Sequence, residues 1–279
     1  MGKAKGPIKW IGGKGNMLKK LLSLIPDHKL YVEVFGGGAA LLFNKQPSDI
    51  EVYNDIDQGL FDFFSVLQDR CLFREFSRKV RYTPYSRNQY NHARLTWRDE
   101  TDLVSRVHKW YIVARQSFGG HFGHSFGTIT HTSQRGMAGT CSDWITAIKE
   151  LLRFHRRIMR VQIENQNWDK IITRYDTANT FFYLDPPYVM STRKQTCYAH
   201  ELTDDDHKKI IELALNAQGK VLLSGYQNDI YNRLEAAGWH TKRWVTACHA
   251  AGKTKGTKIQ GEDSAKRLQP RIEAVWYNY

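Results

Sequence analysis

Leu30-Tyr31-Val32-Glu33-Val34-Phe35-Gly36-Gly37-Gly38 is the stretch on which the fold turns. Five of its first six residues are apolar, which suits a strand buried on both faces, and the three glycines then strip every Cβ from the turn that follows. Beyond the turn, Ala39 to Phe43 reads as a short apolar helix. Glu51-Val52-Tyr53 reads as a second strand, ending in Asn54-Asp55-Ile56-Asp57. Strand, glycine turn, helix and strand are the opening of a βαβ unit and predict an α/β fold. Upstream, Met17, Leu18, Leu21, Leu22 and Ile25 fall at helical spacing, and Pro26 stops that helix.

Downstream, the pattern changes and then resumes. From Gln58 to Asn165 helical stretches such as Leu60 to Leu67 and Trp144 to Ile158 flank a Gly-, His- and Ser-rich piece, Gly119 to Gly139, so this segment reads as an inserted, mainly helical domain with an irregular hairpin or loop. The α/β rhythm returns with Thr180-Phe181-Phe182-Tyr183-Leu184, a strand that stops at Asp185-Pro186-Pro187-Tyr188. Thr203 and Asp206 have the spacing of a capping box before a helix whose inner face is Ile210, Ile211, Ala214 and Leu215. Val221-Leu222-Leu223 gives another strand, Ile230 to Ala237 a helix closed by Gly238, and Ile272 to Tyr277 a last strand.

The 279 residues carry 41 Lys and Arg against 28 Asp and Glu, a net charge of +13, which favours a polyanionic partner. Most of the excess lies in residues 58–164, with 17 basic and 9 acidic side chains. No apolar run approaches the roughly 18 residues of a membrane span, and no apolar stretch follows Met1-Gly2-Lys3-Ala4-Lys5, so neither a membrane nor a leader is expected. Cys71, Cys141, Cys197 and Cys248 stand singly, which suggests neither a disulfide framework nor a thiolate metal site.

Two turns carry the candidate chemistry. The first is the glycine turn, where a ligand can approach bare backbone; Asp55, 19 residues after Gly36 at the end of the next strand, stands where doubly wound sheets place an acid on ribose hydroxyls. A nucleotide or cofactor site and a plain tight turn both fit, because G-x-G-x-x-G is not matched. Gly12-Gly13-Lys14 lacks the Ser or Thr of a phosphate loop, which argues against nucleotide hydrolysis. The second is Asp185-Pro186-Pro187-Tyr188. Two prolines have no N–H, so this turn offers acceptors only, and acceptors suit an NH2 group. An exocyclic amine of a nucleobase is a poor nucleophile until its protons are gripped and its lone pair leaves the ring system. A stacked Tyr188 contributes about 1–3 kcal/mol, comparable with the few kcal/mol needed to extrude a base.

Lys9-Trp10-Ile11-Gly12-Gly13-Lys14, V-E-V-F-G-G-G-A at 32–39, N-D-I-D at 54–57 and Y-L-D-P-P-Y at 183–188 resemble, in content and order, the Dam-like, alpha-group DNA adenine-N6 methyltransferases. Glu201 to His207, Leu222 to Tyr226 and Ile272 to Trp276 also look like family segments. The resemblance implies a Rossmann-like, mostly parallel seven-stranded sheet, with residues 1–57 and 165–279 as the catalytic, S-adenosylmethionine-binding domain and 58–164 as an inserted target-recognition domain. It implies Trp10, Lys14, Phe35, Gly36, Gly37, Asp55 and Asp185 around the cofactor, and Asp185, Pro186, Pro187 and Tyr188 as the catalytic residues that receive a flipped adenine. The implied partner is double-stranded DNA, for a cytoplasmic monomer or weak dimer that needs no metal and serves a restriction-modification system with a cognate restriction endonuclease, a phage or a stand-alone epigenetic role. Ala39 stands where the family's F-x-G-x-G pattern has its second glycine. Arg115 to Gly123 departs from the stretch that reads GATC, so the target sequence is not implied.

Within the insertion, basic residues from Arg70 to Arg115 interleave with Tyr82, Tyr85, Tyr90, Trp97 and Trp110, a mixture suited to phosphate and groove contacts. Arg115, Gln116, Ser117 and His121 are the candidate base-contacting residues, and Lys253, Lys255 and Lys258 a candidate backbone clamp. His121, His124 and His131 lack the Cys or carboxylate that would complete a zinc site. The rival readings are a catalytically silent DNA-binding protein and a cytosine-N4 or other amino-group methyltransferase; within the resemblance, Asp185 rather than Asn or Ser before Pro-Pro-Tyr favours adenine.

Overall fold

The structure is a computed structural model that describes residues 6–10, 12–15, 17–190, 200–247 and 270–279. Its strands, in chain order, are β1 (Leu30–Glu33), β2 (Ile50–Asn54), β3 (Ser133–Gln134), β4 (Met137–Ala138), β5 (Gln162–Glu164), β6 (Thr180–Leu184), β7 (Lys220–Tyr226), β8 (His240–Ala247) and β9 (Pro270–Tyr277). β3 and β4 form a small hairpin; the other seven make one sheet in the order β5-β2-β1-β6-β7-β9-β8. The β1–β2, β1–β6 and β6–β7 pairs are parallel, and β9 runs antiparallel between β7 and β8. This is the seven-stranded, largely parallel Rossmann-like sheet that the resemblance implies.

The helices are α1 (Leu18–Leu22), α2 (Gln58–Gln68), α3 (Arg70–Arg81), α4 (Arg87–Thr96), α5 (Leu103–Gln116), α6 (Gly139–Ile158), α7 (Trp168–Tyr175), α8 (Asp204–Asn216) and α9 (Asn232–Ala236). By contact density the chain divides into two compact units, one of Met1–Ile25, Gly36–Pro47 and Asp55–Asn165, the other of Pro26–Phe35, Ser48–Asn54 and Gln166–Tyr279.

In the second unit, one face of the sheet is apolar. Val32, Val34, Val52, Phe182, Leu184, Val221, Leu223 and Trp276 pack there against Ile171 and Ile172 of α7, Ile210, Ile211 and Ala214 of α8, and Leu234 of α9. The intervening residues point the other way, because successive strand side chains alternate. That opposite face carries Tyr31, Glu33, Glu51, Tyr53, Tyr183 and Ser224, all at least nine-tenths buried. The Tyr31 hydroxyl donates to Glu33 Oε2 at 2.8 Å, and burial together with the Glu33 charge pushes its pKa well above the ordinary tyrosine value. α8 begins with the predicted capping box: Asp206 N–H donates to Thr203 Oγ1 and Thr203 N–H to Asp206 Oδ2.

Three of the first unit's helices, α2, α3 and α5, are capped by aspartates, with Asp57 accepting from Leu60 N–H, Asp69 from Cys71 and Leu72, and Asp102 from Ser105. Their core is aromatic: Phe63 lies 5.5 Å from Tyr111 and 5.4 Å from Trp110, both stacked, and Trp144 donates from Nε1 to Thr83 O. A Cβ on Gly59 would strike the Trp110 ring, so glycine is required where α2 crosses that indole.

Several boundaries differ from the sequence expectation. The helix expected over Met17 to Ile25 is the short α1, and Ala39 to Phe43 forms turns instead of a helix, because Ala39 takes φ +53°, outside the helical region. Ile230 to Ala237 opens as a 3-10 turn, Asp229–Tyr231, capped by the Asn228 side chain, before α9 and the left-handed Gly238. β8 has no counterpart in the sequence expectation; its adjacent Lys242 and Arg243 break the apolar pattern and suit a sheet edge. Lys253, Lys255, Lys258, Cys197 and Cys248 lie outside the described residues. Among the described residues no helix is long and apolar enough to cross a membrane.

Candidate active site

The glycine turn is held by one aspartate. Gly37 N–H donates to Asp55 Oδ2 at 2.7 Å and Asp57 N–H to Asp55 Oδ1 at 2.9 Å, while Asn165 Nδ2 donates to the Asp55 carbonyl at 2.7 Å. The carboxylate therefore ties the turn to the chain leaving β2. Gly37 has φ +48°, and a Cβ there would lie 3.0 Å from Trp10 Cδ1, so both backbone and neighbour demand glycine. Trp10 in turn packs on Trp110 and Phe122, at 5.8 and 5.9 Å between ring centroids. Lys14 is buried, with Nζ 3.4 Å from the Gly12 carbonyl. The structure thus gathers Trp10, Gly36, Gly37 and Asp55, four of the expected cofactor residues, around one turn. The Phe35 ring lies 6.5 Å from Trp168 and packs on the apolar face of the sheet, while its backbone leads directly into the glycine turn.

The proline turn sits at the carboxyl end of β6. Asp185 Oδ1 accepts a 2.7 Å hydrogen bond from Ser224 Oγ on the adjacent strand β7. Pro186 is buried and Pro187 partly buried. Tyr188, 9% exposed, meets Tyr226 edge to face with centroids 4.4 Å apart. Burial and then the Asp185 charge push the Tyr231 hydroxyl pKa far up, and this hydroxyl is 2.9 Å from His207 Nδ1. Neither Ser224 nor Tyr226 is assigned a role from sequence. The available signal was a serine in the middle of an otherwise apolar strand, Leu222-Leu223-Ser224.

The candidate base-contacting residues stand at the end of α5 and in the loop beyond it. Gln116 is fully buried; its Oε1 accepts from Ser86 N–H and its Nε2 donates to Pro84 O. Ser117 Oγ donates to Val113 O and accepts from Gly123 N–H, and Tyr90 OH lies 3.0 Å away. Arg115 is 8% exposed, with Nη2 3.4 Å from Asp143 O. These three shape the stem of the loop, whereas His121 lies partly exposed on it, 5.8 Å from His124 between ring centroids. No three His, Cys, Asp or Glu side chains gather as a metal would require among the described residues.

Residues 10–248 match the model of the D12 class N6 adenine-specific DNA methyltransferase family. Among curated relatives, the chain is 24% identical over 277 residues to the Type II methyltransferase M.MjaIII of Methanocaldococcus jannaschii, covering 85% of this chain and 90% of that protein. It is 22% identical to the modification methylase StsI of Streptococcus sanguinis and 23% identical to the DNA N-6-adenine-methyltransferase of Escherichia phage P1. Those alignments cover 67% and 78% of this chain and only 29% of each relative. A family match that runs from Trp10 through both turns and beyond β8 makes this chain a member of the D12 class of N6 adenine-specific DNA methyltransferases.

Proposed function

We propose that this chain transfers a methyl group from S-adenosylmethionine to N6 of an adenine flipped out of duplex DNA, working as a monomer or weak dimer beside a cognate restriction endonuclease. The observation that carries the reading is the acceptor-only turn at the end of β6, with the Asp185 carboxylate fixed at 2.7 Å by Ser224 and an aromatic ring, Tyr188, three residues on. Residues 1–57 and 165–279 form the catalytic domain in this reading, and 58–164 the target-recognition domain.

The residues of the glycine turn fit the cofactor's chemistry. Asp55 offers acceptors to ribose hydroxyls, Trp10 an aromatic face, Lys14 a cation for the methionine carboxylate, and Gly36 and Gly37 bare backbone. When bound, S-adenosylmethionine supplies a methyl group on a positively charged sulfur. Asp185 accepts one N6 hydrogen and a main-chain carbonyl of the Pro186–Pro187 turn accepts the other, which turns the amine's lone pair out of the ring plane. As the C–N bond forms, the methyl–sulfur bond would break to leave a neutral thioether, the Asp185 carboxylate stabilises the positive charge growing on nitrogen, and the surplus proton leaves to water. Tyr188 stacks on the extruded base, and orientation supplies much of the rate. His121 contacts the bases from the exposed loop, while Arg115, Gln116 and Ser117 serve DNA contact by fixing that loop's shape.

Asp185→Ala tests the reading. Methyl transfer should fall at least about 100-fold, the scale of removing one preorganised polar partner, with most DNA affinity retained; undiminished turnover would refute it. Sequencing N6-methyladenine in DNA from cells that express the chain reports base, position and activity together.

A further inference from the structure

β7 holds more of the proline turn than its core role requires. Its register with β6 pairs Tyr183 with Leu222 and Leu184 with Leu223, so the next step brings Asp185 level with Ser224. Ser224 and Tyr226 share one face of β7, the face opposite the apolar core, since Val221 and Leu223 belong to that core. Each meets one functional side chain of the turn: Ser224 Oγ donates to Asp185 Oδ1 at 2.7 Å, and Tyr226 meets the Tyr188 ring at 4.4 Å. A serine hydroxyl has one proton, and here it goes to the carboxylate. Tyr183 OH, 3.4 Å from Ser224 Oγ, is therefore the donor in its own contact, which gives a buried series Tyr183 → Ser224 → Asp185. Between the two residues, Gly225 faces the core, where a Cβ would come within 3.0 Å of the Tyr231 ring.

We infer that the carboxyl end of β7 is the positioning template of the catalytic turn: Ser224 sets the rotamer of Asp185 and Tyr226 sets the ring plane of Tyr188. The inference rests on the methyl-transfer reading above. A carboxylate that must accept from N6 loses rate when it can rotate freely, because orientation is realised in the transition state. An edge-to-face partner fixes the plane on which a base stacks.

The test is single-turnover methyl transfer to unmethylated plasmid DNA, with cofactor and DNA affinities measured separately. Ser224→Ala is expected to slow the methyl-transfer step about 10- to 100-fold, the range of a hydrogen bond to a charged group, with both affinities within twofold of wild type. Ser224→Cys keeps the volume but is a weak donor, and should be nearly as slow. Tyr226→Leu should cost about 2- to 10-fold, and Tyr226→Phe should restore the rate, since the ring edge and not the hydroxyl is used. Wild-type rates in both Ser224 variants overturn the inference, as does a loss confined to affinity or melting temperature. Asp185→Ala in the same assay separates the two levels. If it is inactive while Ser224→Ala is normal, only the template fails; if it is active, the reading of the site fails as well.

Discussion

The turn after β1 and the turn after β6 leave adjacent parallel strands of one sheet, yet they are built from opposite materials. The glycine turn has no Cβ at three successive residues and offers N–H groups, one of which is already bonded to Asp55. The proline turn has no N–H at two successive residues and offers oxygens. The first depends on backbone freedom, with Gly37 at φ +48° under the Trp10 ring. The second depends on rigidity, with side chains fixed from β7. A strand thus runs into a donor-rich cradle or an acceptor-rich clamp according to whether glycine or proline follows it.

That contrast predicts a separation of effects. The largest is expected from Gly37→Val, which puts a β-branched residue at positive φ and a Cβ against Trp10; strain of about 1–3 kcal/mol should appear as lost stability and at least about tenfold weaker cofactor binding by calorimetry, with DNA affinity kept. Tyr188→Ala should do the reverse. Loss of one stacking platform removes about 1–3 kcal/mol from the extruded base, read as slower methyl transfer with cofactor affinity unchanged. If both variants moved both affinities equally, the division between the turns would be wrong. Asp55→Asn keeps the shape but replaces one acceptor oxygen with a donor amide, and should weaken cofactor binding by about 1 kcal/mol through the lost charge-assisted bonds from Gly37 and Asp57. The smallest effect has the opposite sign. Ala39 is buried at φ +53°, so Ala39→Gly should raise unfolding stability by about 0.5–1 kcal/mol in a denaturant titration, the left-handed cost relieved less the entropy of glycine.

Ala39 also shows where local reading ended. Ala39 to Phe43 has the composition of a helix, and nothing within five residues says that the first of them is left-handed. Gln116 and Ser117 look available from their polarity and their glycine neighbours. Their polar atoms are consumed by Pro84, Ser86 and Gly123, partners up to 32 residues away in the chain. β8 was hidden for another reason, since an edge strand needs charges that disrupt the alternation by which strands are recognised. The capping box at Thr203, by contrast, was plain from sequence because its two hydrogen bonds span only three residues.

The strands that end in Gly-Gly-Gly and in Asp-Pro-Pro-Tyr, the helical character of the stretch between them, and the chemical kind of each turn are all written in the order of the residues. Those properties follow from residues within a few positions of one another, through apolar patterning, missing Cβ atoms and missing N–H groups. It took folding to show that Asp55 secures Gly37, that Trp10 lies over that turn, and that Ser224 and Tyr226 meet Asp185 and Tyr188. These contacts join residues 18 to 39 positions apart, and the register that sets Ser224 beside Asp185 is not encoded in local pattern.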